Sequence, residues 1–215
     1  MKILIADDHG IVREGLKSLI NKQSDMKVIG EAEDGQMAIQ LAKKLTPDIV
    51  IMDVSMPNLN GIEATREILA YKPGTKIVIL SMYKDKHIIK ESLEAGAKAY
   101  ILKSNLFNEL LKALKKVKVN ECYLSSGITE IVIEDYINQK IPNKTRMSIK
   151  LTSRERHILQ LIAEGKTIKE IANIIKISPK TADASRRRIM NKLNLFNIAD
   201  LTKYAIRQGL TSLDF

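Results

Sequence analysis

Long hydrophobic runs are missing from this 215-residue sequence. No apolar stretch exceeds four residues, as in Ile49-Val50-Ile51-Met52, whereas a membrane-spanning helix needs about 20. The opening Met1-Lys2-Ile3-Leu4-Ile5-Ala6-Asp7-Asp8 meets acid too early for a secretory signal peptide. Both absences point to a cytoplasmic protein with no membrane partner. Cysteine is almost absent as well. Cys122 stands alone, so no internal disulfide can form, and a thiol without a histidine partner nearby is expected to be inert.

What is present is an ordinary globular composition, 45% hydrophobic, with an uneven charge. The net charge is +10. Residues 1–118 hold 19 Lys and Arg against 15 Asp and Glu, residues 119–149 hold 3 against 4, and residues 150–215 hold 13 against 6. The C-terminal third therefore carries most of the excess. Such asymmetry suits a nucleic-acid-facing end; taken alone, it suits a generally basic surface equally well.

The first half alternates two patterns. Ile3-Leu4-Ile5-Ala6, Ile49-Val50-Ile51-Met52 and Ile77-Val78-Ile79-Leu80 are continuous apolar runs, as strands covered on both faces require. Met26 to Ala32 and Ala99 to Leu102 are weaker strand candidates. Helical patterns separate them, from Val12, Leu16, Leu19 and Ile20 to Phe107, Leu110, Leu111, Leu114 and Val117. The expectation is a doubly wound α/β domain over residues 1–118, with a five-stranded parallel sheet and helices on both faces. Residues 119–149 lose the rhythm and read as a linker. Ile131, Val132, Ile133 and Tyr136 suggest some helix there, interrupted by Ser125-Ser126-Gly127 and Ile141-Pro142-Asn143.

Residues 150–215 read as a small all-α domain. Thr152-Ser153-Arg154-Glu155 and Thr167-Ile168-Lys169-Glu170 are capping boxes. Gly165 suits a left-handed helix end. Ser178-Pro179 pairs an N-cap with proline at the first helical position, and Asn197 is expected to cap a last helix running to about Gln208. The short turn near Lys176-Ile177 matches a helix-turn-helix.

Three carboxylates fall at strand ends: Asp7 and Asp8 after the first strand, Asp53 after the third. Like charges brought together require a cation, and a ligand set read as all oxygen, with no histidine or thiol, suits Mg²⁺. Ser81 lies beyond the fourth strand and Lys103 beyond the fifth. A cation, a hydroxyl and an ammonium around one aspartate would neutralise a transferring phosphoryl group. Each residue alone has a plainer reading: helix caps for Asp7 and Asp8, a loop acid for Asp53, a solvated lysine for Lys103. Their joint placement favours the pocket.

Ile3 to His9, Asp48 to Pro57 with Gly61, and Gly96 to Lys103 resemble the signature segments of receiver domains, whose fold is flavodoxin-like. The resemblance implies Asp53 as phosphoacceptor, and Mg²⁺ held by Asp8, Asp7, Asp53 and the backbone carbonyl of Ser55. It also implies Ser81 and Lys103 as contacts to the phosphoryl group, and Tyr100 as an aromatic switch that turns inward. Without it, Tyr100 reads as a half-buried tyrosine. Ser104 follows Lys103 where many receivers have proline.

Leu151 to Arg156 and Ile189 to Leu193 resemble the LuxR-type DNA-binding domain, so the whole chain is similar to response regulators of the NarL/FixJ subfamily. The recognition helix would start at Ser178, with Lys180 and Thr181 suited to phosphates. By resemblance Asp183, Ala184 and Arg187 read bases, Arg187 at guanine and Asp183 accepting from cytosine or excluding wrong sites. Arg186, Arg187 and Arg188 occupy successive positions and cannot all face one way. Ala182, Ser185 and Ile168 depart from the usual valine, histidine and asparagine. The implied partners are a sensor histidine kinase, double-stranded DNA and a second copy of the chain when phosphorylated. The implied activity is phosphotransfer onto the chain's own aspartate, not conventional enzyme turnover. The alternative is a receiver-based interaction adaptor or phosphate sink. A phosphatase acting on small molecules lacks support, since no second catalytic acid or substrate-binding insertion is present.

Overall fold

The computed structural model describes residues 1–139 and 151–211. Five strands, β1 (Lys2–Ala6), β2 (Lys27–Ala32), β3 (Ile49–Asp53), β4 (Lys76–Ser81) and β5 (Ala99–Leu102), alternate with five helices. These are α1 (Gly10–Asn21), α2 (Gly35–Leu45), α3 (Gly61–Tyr71), α4 (Lys86–Glu94) and α5 (Leu106–Lys118). All strand pairs are parallel, in the order β2-β1-β3-β4-β5 with one further strand at the β5 edge.

Every residue of β3 and β5 is buried, which explains the unbroken apolar runs. Alternate side chains serve opposite faces. Leu4, Val50, Met52, Ile77 and Ile79 join one core under α2, α3 and α4. Ile3, Ile49, Ile51, Val78, Leu80 and Ile101 join a second with Leu16 and Ile20 of α1 and Leu110 and Leu114 of α5.

The sheet has a sixth strand where five were expected. β6 (Tyr123–Leu124) pairs in parallel with β5, Ala99 facing Tyr123 and Tyr100 facing Leu124. Two residues carry no readable period. The strand forms because β5 would otherwise expose unpaired amides and carbonyls, and Ser125 secures it: its Oγ accepts the Leu102 amide at 3.2 Å and donates to Glu109. Helix α6 (Ser126–Gln139) follows at once. Ser126 and Gly127, read as interruptions, lie in its first turn, and Ile128 is buried in the core beside α4. The expected linker end near Ile149, with the Ile141-Pro142-Asn143 break, lies outside the described residues.

The C-terminal helices are α7 (Ser153–Ala163), α8 (Ile168–Ile174), α9 (Pro179–Leu193) and α10 (Ile198–Arg207). Both capping boxes form. Gly165 is left-handed at φ 77°, and Lys176 turns the chain between α8 and α9 at φ 54°. Ser178 and Asn197 cap α9 and α10. Ile158, Leu161, Ile171, Ala182, Ile189, Leu201 and Ala205 close a separate core. Ala182 is wholly buried there, and Ile168 packs against the same core.

Candidate functional site

The parallel sheet gathers the ends of β1, β3, β4 and β5 at one edge, where ligands of such folds sit. Asp53 is the last residue of β3 and Ser81 the last of β4. Asp7 follows β1 and Lys103 follows β5. Lys103 Nζ lies 2.8 Å from Asp53 Oδ2 and 2.9 Å from Asp7 Oδ2. Asp7 and Asp53 are buried, while Asp8 is partly open to solvent. Gly61 seals the floor: a Cβ there would stand 1.9 Å from the Asp53 carbonyl oxygen, so only glycine lets the next helix start this close.

Burial pushes the Asp53 carboxyl up to about 7, with Asp7 and Asp8 adding to the effect and Lys103 opposing it. Burial disfavours the Lys103 ammonium, but Asp53 and Asp7 more than offset this and raise its pKa. Three carboxylates thus face one ammonium. Asp7 Oδ2 and Asp8 Oδ1 are buried, facing Lys103 Nζ at 2.9 Å and His9 Nδ1 at 2.7 Å. Such oxygens fit a hard divalent cation.

A histidine stands beside the acidic cluster that the sequence did not place there. His9 Nδ1 lies 2.7 Å from Asp8 Oδ1 and 3.2 Å from Asp7 Oδ1, and one ligand atom from each of Asp7, Asp8, His9 and Asp53 falls within 4.8 Å of the others. His9 is the N-cap of α1, and its extended backbone turns the ring back toward the strand end. Arg13 was also missed. Its guanidinium donates to the Asp7 carbonyl at 2.7 Å and pairs with Glu33, a contact that one helical turn after the Asp-Asp pair could have signalled.

Ser81 and Tyr100 converge on one backbone segment. Ser81 Oγ accepts the Tyr83 amide at 3.0 Å, and Tyr100 Oη donates to the Tyr83 carbonyl at 2.9 Å. Tyr100 is wholly buried rather than half-buried, and burial raises its phenol pKa. The ring already points inward. Ser55 lies in the loop after Asp53, its hydroxyl buried without a hydrogen-bond partner. Ser104 occupies a short 3-10 turn, Lys103–Asn105.

On α9, Lys180, Thr181, Ala184, Arg187 and Arg188 are exposed. The Arg187 side chain is 73% exposed against 32% for Arg186. Asp183 has both oxygens engaged, by Arg186 Nη2 at 2.7 Å and Arg187 Nη2 at 2.9 Å. Ser185 turns its hydroxyl onto the Thr181 carbonyl at 2.8 Å rather than outward. Cys122 is exposed, and among the described residues no helix is long and apolar enough to cross a membrane.

Comparison with known proteins agrees with both halves. Residues 3–115 match the response regulator receiver domain, and residues 150–205 match the bacterial regulatory proteins of the luxR family. The chain is 40% identical over 219 residues to the oxygen regulatory protein NreC of Staphylococcus carnosus, covering 100% of both chains. It is similar to the RcsB response regulator of Salmonella typhimurium, with 28% identity, a TM-score of 0.59 and coverage of 95% of this chain and 97% of that one. A LuxR-family two-component response regulator from Aurantimonas matches 63% of this chain and 97% of its own at 35% identity and a TM-score of 0.61. An RcsB–DNA complex matches at 27% identity and a TM-score of 0.59, over 95% of this chain and 96% of that one. The family is one of regulators, not of catalytic enzymes. The chain belongs to the DNA-binding two-component response regulators of the LuxR type.

Proposed function

We propose that Asp53 is the phosphoacceptor and that its phosphorylation by a sensor histidine kinase controls pairing of the chain on double-stranded DNA. The proposed division is a receiver over residues 1–118, a connecting segment over 119–149 that contributes β6 and α6, and a DNA-binding unit over 150–215. The cytoplasm is the expected compartment.

The observation that carries this reading is the position of Lys103 between Asp53 and Asp7 at the strand ends. In the mechanism, an Asp53 oxygen attacks the phosphorus of a phosphohistidine, the P–N bond breaks and the imidazole leaves. Lys103 and the Ser81 hydroxyl take up the charge of the phosphoryl oxygens. Asp7, Asp8, Asp53 and the Ser55 carbonyl would hold Mg²⁺, which when bound offsets the charge of the transferring group. Ser81 and Tyr100 share the Tyr83 backbone, so a hydroxyl drawn to the phosphoryl group pulls on the segment leading into α4.

On α9, Lys180, Thr181, Arg186 and Arg188 are assigned to phosphates, and Ala184 and Arg187 to base edges. Asp183 is assigned to orienting the arginines beside it, since both its oxygens face them. A related structure holds two RcsB dimers on two parallel DNAs, which supports pairing of two copies here. The exposed basic helix disfavours a pure adaptor or phosphate sink. The test is DNA binding with and without an acyl-phosphate donor and Mg²⁺, against Asp53→Asn. Tighter binding confined to the phosphorylated wild type supports the assignment; phosphate labelling that survives in Asp53→Asn refutes it.

A further inference from the structure

The two domains meet at the segment that directly follows Asp53. Residues 54–60 fold into a compact turn: Gly61 N–H donates to the Val54 carbonyl at 2.9 Å and Leu59 N–H to Pro57 at 2.7 Å. Gly61 then rests against the Asp53 carbonyl. Three residues of this turn are held by α7. Gln160, wholly buried, donates to the Met56 carbonyl at 3.0 Å and accepts the Asn60 amide at 2.9 Å and the Asn60 side chain at 3.1 Å. His157 Nε2 lies 2.9 Å from the Asn58 carbonyl, and Glu164 accepts from Gln160 at 2.8 Å. Arg156 reaches across to the buried Glu63 at 2.5 Å. At the far end of the same interface Gly209 packs on Ile88 so closely that a Cβ would stand 2.5 Å from it.

The docked surface is therefore α7 and the end of α10. Helix α9 takes no part in these contacts, and Lys180, Thr181, Ala184, Arg187 and Arg188 stay exposed. Covering of the DNA-reading face cannot be what the docked state achieves.

We propose that the turn at residues 54–60 is a direct coupling element, read by Gln160, which holds the DNA-binding domain by its back in the resting state, so that phosphorylation frees it to pair rather than uncovers it to bind. This rests on the phosphoacceptor and DNA-binding roles proposed above. Ser55, assigned to the cation through its carbonyl, is the residue before Met56, whose carbonyl holds Gln160. A backbone shift at Asp53–Ser55 moves both partners of a buried amide, and a buried amide that loses its partners must be released to water. This route starts in the backbone next to Asp53, while the one through Ser81, Tyr83 and α4 reaches the same interface at Ile88, where Gly209 packs.

The experiment uses the full chain, resting and with beryllofluoride plus Mg²⁺, beside Gln160→Leu. Amide exchange over residues 56–62 is expected to speed up about tenfold with beryllofluoride, and likewise in Gln160→Leu without it. Affinity for a single half-site should stay within about twofold in all forms, while affinity for two properly spaced half-sites rises about tenfold or more on release. A half-site affinity that rises together with the paired one overturns the proposal in favour of occlusion. Exchange at Asn60 that ignores beryllofluoride overturns the coupling even if Gln160→Leu fails to fold. Faster exchange with no DNA binding in any form supports the coupling and rejects the DNA-binding reading instead.

Discussion

Lys103 Nζ stands 2.8 Å from Asp53 Oδ2, and 2.9 Å from Asp7 as well, so one ammonium bridges the ends of three strands that are not neighbours in sequence. Lys103→Ala leaves two buried carboxylates without their cation. Breaking such a pair costs about 3–5 kcal/mol, and loss of a positioned donor lowers phosphotransfer by roughly 10²–10³-fold. Urea midpoints and labelling from an acyl-phosphate donor check both. Wild-type labelling in the variant would remove Lys103 from the site.

Asp53, pushed up to about 7 by burial, makes stability depend on pH and cation. Its folded pKa is above the unfolded value of 3.8. As pH rises between them the unfolded chain releases a proton that the folded chain keeps. The stability from this group is therefore full below about 3.8 and lost by about pH 7, a change on the order of 4 kcal/mol. Mg²⁺ must displace that proton, so its stabilisation is expected to be larger at pH 8 than at pH 5.5. Thermal melts with and without Mg²⁺ decide it. Equal shifts at both pH values would show that Asp53 is not the titrating ligand.

Arg187→Ala is expected to cost about 1–3 kcal/mol on a specific site and to relax preference at a single base position. Asp183→Asn releases Arg186 and Arg187 from their partner. It should raise affinity for unrelated DNA and steepen its dependence on salt. Binding isotherms at several salt concentrations measure both effects, and an unchanged slope in Asp183→Asn argues against an orienting role.

Ile189 is wholly buried in the C-terminal core. Ile189→Ala should destabilise that core by about 2–5 kcal/mol while leaving Asp53 competent for phosphorylation, because the receiver cores are built from other residues. Differential scanning calorimetry with parallel labelling tests this; loss of labelling together with stability would mean that the domains fold as one unit.

Much of this was legible locally. The apolar runs of β1, β3 and β4 reflect burial on both faces, the caps at Thr152, Thr167, Ser178 and Asn197 are satisfied within their own first turns, and strand alternation put Asp7, Asp53, Ser81 and Lys103 at one edge. These features depend on near neighbours in the chain or on a repeating period, and so the amino-acid sequence by itself determined them. Tertiary structure alone decided the rest. β6 exists because β5 has an open edge, not because Tyr123-Leu124 has a pattern. The ring of His9 joins the acids through the backbone direction of an N-cap. The hold of Gln160 on Met56 and Asn60 joins residues about a hundred positions apart, and no local propensity encodes a contact whose partners meet only after two separately folded cores have docked.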